Sequence, residues 1–308
     1  MYEIAGVHHV ALGVKNLETM KSFYKNVLGF NINHQGPPTD SHMLMSDITR
    51  GVTPVFNAGL LSQDAGGIIV EFINMIAPVP HPIRRDFRYG DIGANKMTIA
   101  VSDMDAVYRE LKDKVNFCTS PRSVELPGFG DYNFVYCKDP EGNLVEFVSG
   151  TGFQVKDKFG GVCSVGISVT DLNRSLAYYQ KYTGFDTFFI KPHENFSGLV
   201  DEISGNNGTR VRSCVLTSGK GSGMVELFEV MEPRGRSIPS YTSWGDFGYL
   251  QTCMMCKNVP EIADHLENEG IEFLIKLQRI TGEEEAAFIY VRDPDGIPLE
   301  FLSFDGLE

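Results

Sequence analysis

The chain lacks a long apolar run, an excess of basic residues and a cysteine framework, and each lack removes a class of protein. No stretch approaches the roughly 20 apolar residues that a membrane-spanning helix needs, so no membrane partner is expected. Lys and Arg number 27 against 40 Asp and Glu, a formal charge of -13. The broad basic face that phosphate contacts demand is missing, and nucleic acid is not an expected partner. An anionic small substrate stays open, because local arginines can override a net field. The six cysteines, at 118, 137, 163, 214, 253 and 256, are scattered rather than framework-spaced. The start, MYEIAGVHHV, shows no basic segment followed by an apolar one. These features predict reduced thiols, no secretory signal and a cytoplasmic location, with the sequons at Asn195 and Asn207 as chance matches.

What is present is ordinary globular composition, 42% hydrophobic and 22% charged, over 308 residues. That length exceeds one comfortable core and suits two domains. Self-similarity divides it. His9 to Leu17 (HVALGVKNL) matches Ser164 to Leu172 (SVGISVTDL), an offset of 155. At the same offset Phe23-Tyr24 matches Tyr178-Tyr179, Gly29-Phe30 matches Gly184-Phe185, Val70-Glu71-Phe72 matches Val225-Glu226-Leu227, and Asp91 to Gly93 matches Asp246 to Gly248. Lys138 to Gly142 (KDPEG) with Glu146-Phe147 matches Arg292 to Gly296 (RDPDG) with Glu300-Phe301 at an offset of 154. A repeat this regular makes two modules, 1–149 and 161–308, joined by a linker at 150–160.

Each module reads as two strand–helix–three-strand halves, an α+β pattern. Val10, Leu12 and Val14 alternate with His9, Ala11 and Gly13, the period of a half-buried strand. A helix follows with Leu17, Met20, Phe23, Val27 and Leu28 on one stripe and Gly29 as its stop. Met97, Ile99 and Val101 start the second half, followed by a helix that Ser102-Asp103 begins. Asp139 to Gly142 and Asp293 to Gly296 form tight turns before a last strand.

The histidine-led strand, the helix carrying Phe-Tyr, the Leu-Gly-Phe that follows, and the twice-present Asp-Pro-acid-Gly before Glu-Phe resemble the vicinal oxygen chelate superfamily. That superfamily takes in glyoxalase I, bleomycin-resistance proteins and extradiol dioxygenases. The resemblance covers nearly the whole chain. It implies tandem modules, each of two βαβββ units rolled into a cupped mixed sheet, with ligands on the concave face. It does not by itself choose among isomerases, epimerases, dioxygenases and metal-free drug-binding proteins.

The family takes metal ligands from the first, fourth, fifth and eighth strands of a site. The matching positions are His9, Glu71, Lys96 and Glu146 in module one, and Ser164, Glu226, Gln251 and Glu300 in module two. Paired within modules, both sets are damaged: one carries a lysine and the other lacks a histidine. Paired across modules, as the resemblance to glyoxalase I implies, His9, Glu71, Gln251 and Glu300 make a hard set suited to Mn, Fe, Co, Ni, Zn or Mg. The remainder, Lys96, Glu146, Ser164 and Glu226, becomes a metal-free pseudo-site in which Lys96 neutralises acids. Crossed pairing is the economical reading, and pairing within modules stays open. Read singly, each residue has a plainer role: a satisfied buried histidine, an ion-paired glutamate, a last-strand fold residue.

The implied activity is a glyoxalase-like isomerase, epimerase or lyase on a small α-hydroxycarbonyl or acyl substrate. A metal-stabilised enediolate forms, and Glu300 or Glu71 moves the proton. A dioxygenase is one alternative, although the extradiol type resembles a two-histidine site and this chain offers Ser164, Gln251 and Glu300 there. A metal-free binding protein is the other. Arg84, Arg85 and Arg88 are candidates to grip an anionic group, and Tyr241 and Trp244 to wall the cleft. Cys253 and Cys256 fall three apart in a strand and face opposite sides, which argues against a chelating pair. His8 is expected to point away from His9, His265 to lie on a solvated helix face, and His42, His81 and His193 to lie in loops. Fused modules make a monomer expected, with a homodimer open.

Overall fold

A computed structural model describes residues 3–35, 45–280 and 285–304. His42 lies outside the described residues. The chain runs through four similar quarters. The first holds β1 (Ile4–Gly13), α1 (Leu17–Asn26), β2 (Ile32–His34), β3 (Val55–Gln63) and β4 (Gly66–Ala77). The second holds β5 (Gly93–Val101), α2 (Met104–Leu111), β6 (Asn116–Phe117), β7 (Arg122–Leu126), β8 (Gly130–Lys138) and β9 (Leu144–Gly150). The third holds β10 (Phe159–Ser168), α3 (Leu172–Tyr182), β11 (Thr187–His193), α4 (Asp201–Ser204), β12 (Arg210–Thr217) and β13 (Met224–Glu232). The fourth holds β14 (Gly248–Cys256), α5 (Val259–Asn268), β15 (Phe273–Ile280), β16 (Ala286–Arg292) and β17 (Pro298–Phe304).

The longer helix of every quarter starts the same way. Asn16, Asp103, Asp171 and Asn258, all in extended conformation, accept from the backbone N–H three residues on, which satisfies one of the free donors of a helix start.

Two mixed sheets result, and each draws one half from each module. The first has strand order β15-β16-β17-β14-β1-β4-β3-β2, and the second β11-β12-β13-β10-β5-β9-β8-β6 with β7 beside β8. At the centre of each, two first strands meet antiparallel: β1 with β14 and β10 with β5. Each central strand has a parallel partner from its own quarter, as in β1 with β4 and β14 with β17.

Strand alternation then sorts the side chains. One face of both sheets, with Val10, Leu12, Met97, Val165 and Met254, joins the apolar stripes of the four longer helices in a shared core. The opposite face carries a separate cluster on each sheet. Trp244, Leu250, Phe288 and Tyr290 serve the first, and Tyr89, Phe134, Tyr136 and Phe196 the second.

The two Asp-Pro-acid-Gly turns bind the sheets together. Asp139 and Asp293 each accept two backbone N–H groups of their own turn, and Gly142 and Gly296 take the positive φ (93° and 82°) that closes it. The next acid reaches across. Glu141 on the second sheet accepts from the backbone N–H of Lys15 and Asn16 at the start of α1, and Asp295 on the first accepts from Thr170 before α3. Among the described residues no helix is long and apolar enough to cross a membrane.

Candidate active site

On the face of the first sheet opposite the shared core, β1, β4, β14 and β17 lie side by side, and His9, Glu71, Gln251 and Glu300 meet there. Ala11 stands beside both Glu71 and Gln251 in the register, and its small side chain leaves room between them. His9 Nε2 lies 3.3 Å from Glu71 Oε2 and 3.1 Å from Glu300 Oε2. All four residues are buried. Nε2 is thus an ion-pair partner of both carboxylates. Burial opposes charge on His9, but Glu71 and then Glu300 outweigh it and raise its pKa. Burial, with Glu300 adding to it against His9, pushes the Glu71 carboxyl up as well.

Gln251 is held by three neighbours, one before β14, one on β16 and one on β17. The indole N–H of Trp244 donates to its Oε1 at 2.6 Å, and its amide nitrogen donates to Tyr290 Oη at 3.0 Å and to Glu300 Oε2 at 3.3 Å. An indole nitrogen is only a donor, so it fixes the amide's orientation. Gln251 therefore turns its oxygen to Trp244 and its NH2 to Glu300. Sequence reasoning placed Trp244 in the wall and missed this contact, and it missed Tyr290 altogether. The alternation Ala286, Phe288, Tyr290 along β16 was the available signal.

The expectation that His8 points away from His9 is corrected. A bulge on β1 gives it an extra residue between Val7, paired with Met254, and His9, paired with Cys253. His8 Nδ1 thereby reaches His9 Nδ1 at 2.9 Å. Burial, then His9 and His34, lowers His8 to about 3, so it is the neutral partner. Cys253 comes near the same two rings, within 4.8 Å. Its thiol is a poor competitor for a cation, because burial and then Glu300 hold it protonated. Cys256 faces the shared core instead, and all six cysteines are free.

Lys96, Glu146 and Glu226 meet on the corresponding face of the second sheet, with Ser164 on β10 at the position His9 holds in the first. A cavity of about 960 Å³ lies elsewhere, between the sheets near the two acid turns. Arg84, Arg85, Tyr241 and Trp244 line it, whereas the four clustered residues and Arg88 do not. Trp244 is the wall common to both places. Arg84 is engaged by Asp91 and by the carbonyls of Arg236 and Ser237. Tyr241 is largely exposed and donates to the Ile83 carbonyl, and Arg88 stands exposed 3.7 Å from Asp86.

The family model of the Glyoxalase/Bleomycin resistance protein/Dioxygenase superfamily matches residues 6–147 and again 161–301. The chain belongs to that superfamily. Glyoxalase I from Zea mays is one similar solved structure of this superfamily's fold, 15% identical with a TM-score of 0.63, covering 97% of this chain and 92% of that one. A putative dioxygenase from Bacillus subtilis is another, 14% identical with a TM-score of 0.61, covering 98% and 86%. At such identities the likeness speaks for the superfamily fold alone. No curated protein matches the chain.

Proposed function

We propose that this chain is a metal-dependent isomerase, epimerase or lyase acting on a small α-hydroxycarbonyl or acyl substrate in the cleft of His9, Glu71 and Glu300. The observation that carries the reading is one imidazole nitrogen within 3.3 Å of two buried carboxylates. Three ligand-type groups gathered this closely suit a cation. One nitrogen and two carboxylates suit a divalent ion that keeps open positions for substrate oxygens. Gln251 fits better as the group that orients Glu300 than as a ligand, since Trp244 engages its oxygen. His9 would present its Nε2 lone pair, with the Nδ1 proton donated to His8.

When bound, a divalent ion supplies Lewis acidity that lowers the pKa of a C–H beside a carbonyl. The chain's own residues do the rest. Glu71, whose burial raises its basicity, takes the proton from substrate carbon onto a carboxylate oxygen and returns it to the neighbouring carbon or the opposite face. Glu300 is held in place by the Gln251 amide and is the second candidate for that transfer. The buried setting keeps bulk water from competing for the proton. A small molecule is the partner, and the fused modules make a monomer.

The test is proton exchange. A panel of α-hydroxycarbonyl compounds incubated with the manganese-loaded protein in deuterated water should show deuterium entering the carbon next to the carbonyl. Oxygen uptake with catechols and no exchange would favour a dioxygenase instead. A metal-free binding protein is the second reading, favoured by the separate cavity near Trp244, and neither reaction would then occur.

A further inference from the structure

The second cleft is built from the same positions as the first and filled differently. Lys96 stands where Gln251 does, Ser164 where His9 does, and Glu226 and Glu146 match Glu71 and Glu300. Lys96 Nζ sits 2.5 Å from Glu146 Oε2 and 2.8 Å from Glu226 Oε2, much as His9 Nε2 sits between its two carboxylates. The surrounding groups complete the contacts. Thr98 Oγ1 donates to Glu146 Oε2 at 2.7 Å, Tyr132 Oη approaches Oε1 at 3.4 Å, and Nζ donates to Tyr136 Oη at 3.3 Å. Lys96 is only 1% exposed. The Tyr136 ring lies beside it, its centroid 5.3 Å from Nζ, and packs edge-on against Tyr89. A lysine has no lone pair to offer while protonated, so this set does not fit a metal.

The lysine is accommodated. Beside it in the register lies Gly166, where the first cleft has Ala11 beside Gln251. A Cβ on Gly166 would come within 2.6 Å of the lysine Cγ and 2.8 Å of its Cε. The small residue is needed for the long one. Burial opposes the charge on Lys96, but Glu146 and Glu226 outweigh it and keep the ammonium protonated.

We propose that the Lys96 ammonium is a built-in cation standing where a divalent metal would lie, and that removing it uncovers a latent metal site formed by Glu146, Glu226 and position 164. The Lys96–Gly166 pair is the adaptation that installs this internal cation. It makes the second cleft a permanently charged-neutralised part of the core.

The test compares manganese bound per chain, by equilibrium dialysis, in the parent protein, Lys96→Gln, Lys96→Gln/Ser164→His and Lys96→Arg. The double variant should hold about one equivalent more than its parent, and its Tm should rise with Mn²⁺ by more than the parent's. Lys96→Arg keeps a cation and should match the parent. A folded double variant with the parent's metal content overturns the proposal, and so does failure of both glutamine variants to fold even with Mn²⁺ present. Gly166→Ala supplies an independent reading. It should lower the Tm of the parent but spare a Lys96→Ala background, which has neither the Cγ nor the Cε that the new methyl would meet; equal losses in both backgrounds count against the adaptation. The increment is read against the parent, so a parent that binds no metal at His9 defeats the proposed function without deciding this inference.

Discussion

Glu71 and Glu300 differ from surface glutamates in what a single atom change does to them. Replacing either with Gln keeps the shape and removes the carboxylate that the proposed proton transfer needs. Turnover should fall by about 10²–10⁴-fold, the usual weight of general acid–base catalysis, with thermal unfolding nearly unchanged. Unaltered turnover in both variants would remove the proton-transfer scheme. Trp244→Phe deletes the indole donor to Gln251 together with part of a buried ring that packs on Phe56. A lost outer contact of this kind typically costs about 10–100-fold. The account expects that loss in kcat, with metal content retained. The four positions that meet on the first sheet were named by the resemblance, with the repeat aligning the two modules and strand alternation in support. The contacts of His8 and Trp244 were not. A one-residue bulge reversed the facing of His8, and Trp244 arrives from a connecting segment that has no periodicity to read.

At the scale of elements, the acid turns join helix to sheet and carry a pH signature. Burial pushes the Asp293 carboxyl up to about 7, against the backbone N–H groups it accepts. In an unfolded chain it titrates near about 4. Below that value the folded and unfolded forms are both protonated. As pH rises the unfolded chain ionises first, so this residue's share of stability declines from about pH 4 to about pH 7 and is then constant. Asp293→Asn retains the acceptor oxygen for Asp295 and Ile297 and removes the ionisation. Urea midpoints between pH 4 and pH 7 should therefore fall less steeply in the variant than in the parent, and identical slopes would refute the assignment. The motif marked these turns in the sequence. Its reach to the helix starts at Lys15 and Thr170 could not be seen there, because those partners lie more than a hundred residues away.

At the scale of the whole molecule, both sheets close only when the modules exchange halves. Alternation along single strands permits pairing within or across modules equally well, and the choice rests on which first strands meet at the sheet centres. Here β1 meets β14 and β5 meets β10. Each module alone would expose two such strands, with their unpaired backbone groups. Separate fragments cut between β9 and β10 should self-associate when expressed singly and purify as a one-to-one pair when co-expressed, as light scattering would show. A stable monomeric fragment would contradict the arrangement.

The central claim is one metal cleft built by His9, Glu71 and Glu300 across the two modules. Metal content per chain in protein purified without added metal or chelator, and again after reconstitution with Mn, Ni or Zn, tests it most directly. The account predicts about one equivalent, lost in His9→Ala and retained in Ser164→Ala. No metal after reconstitution, or metal lost equally in both variants, would contradict it.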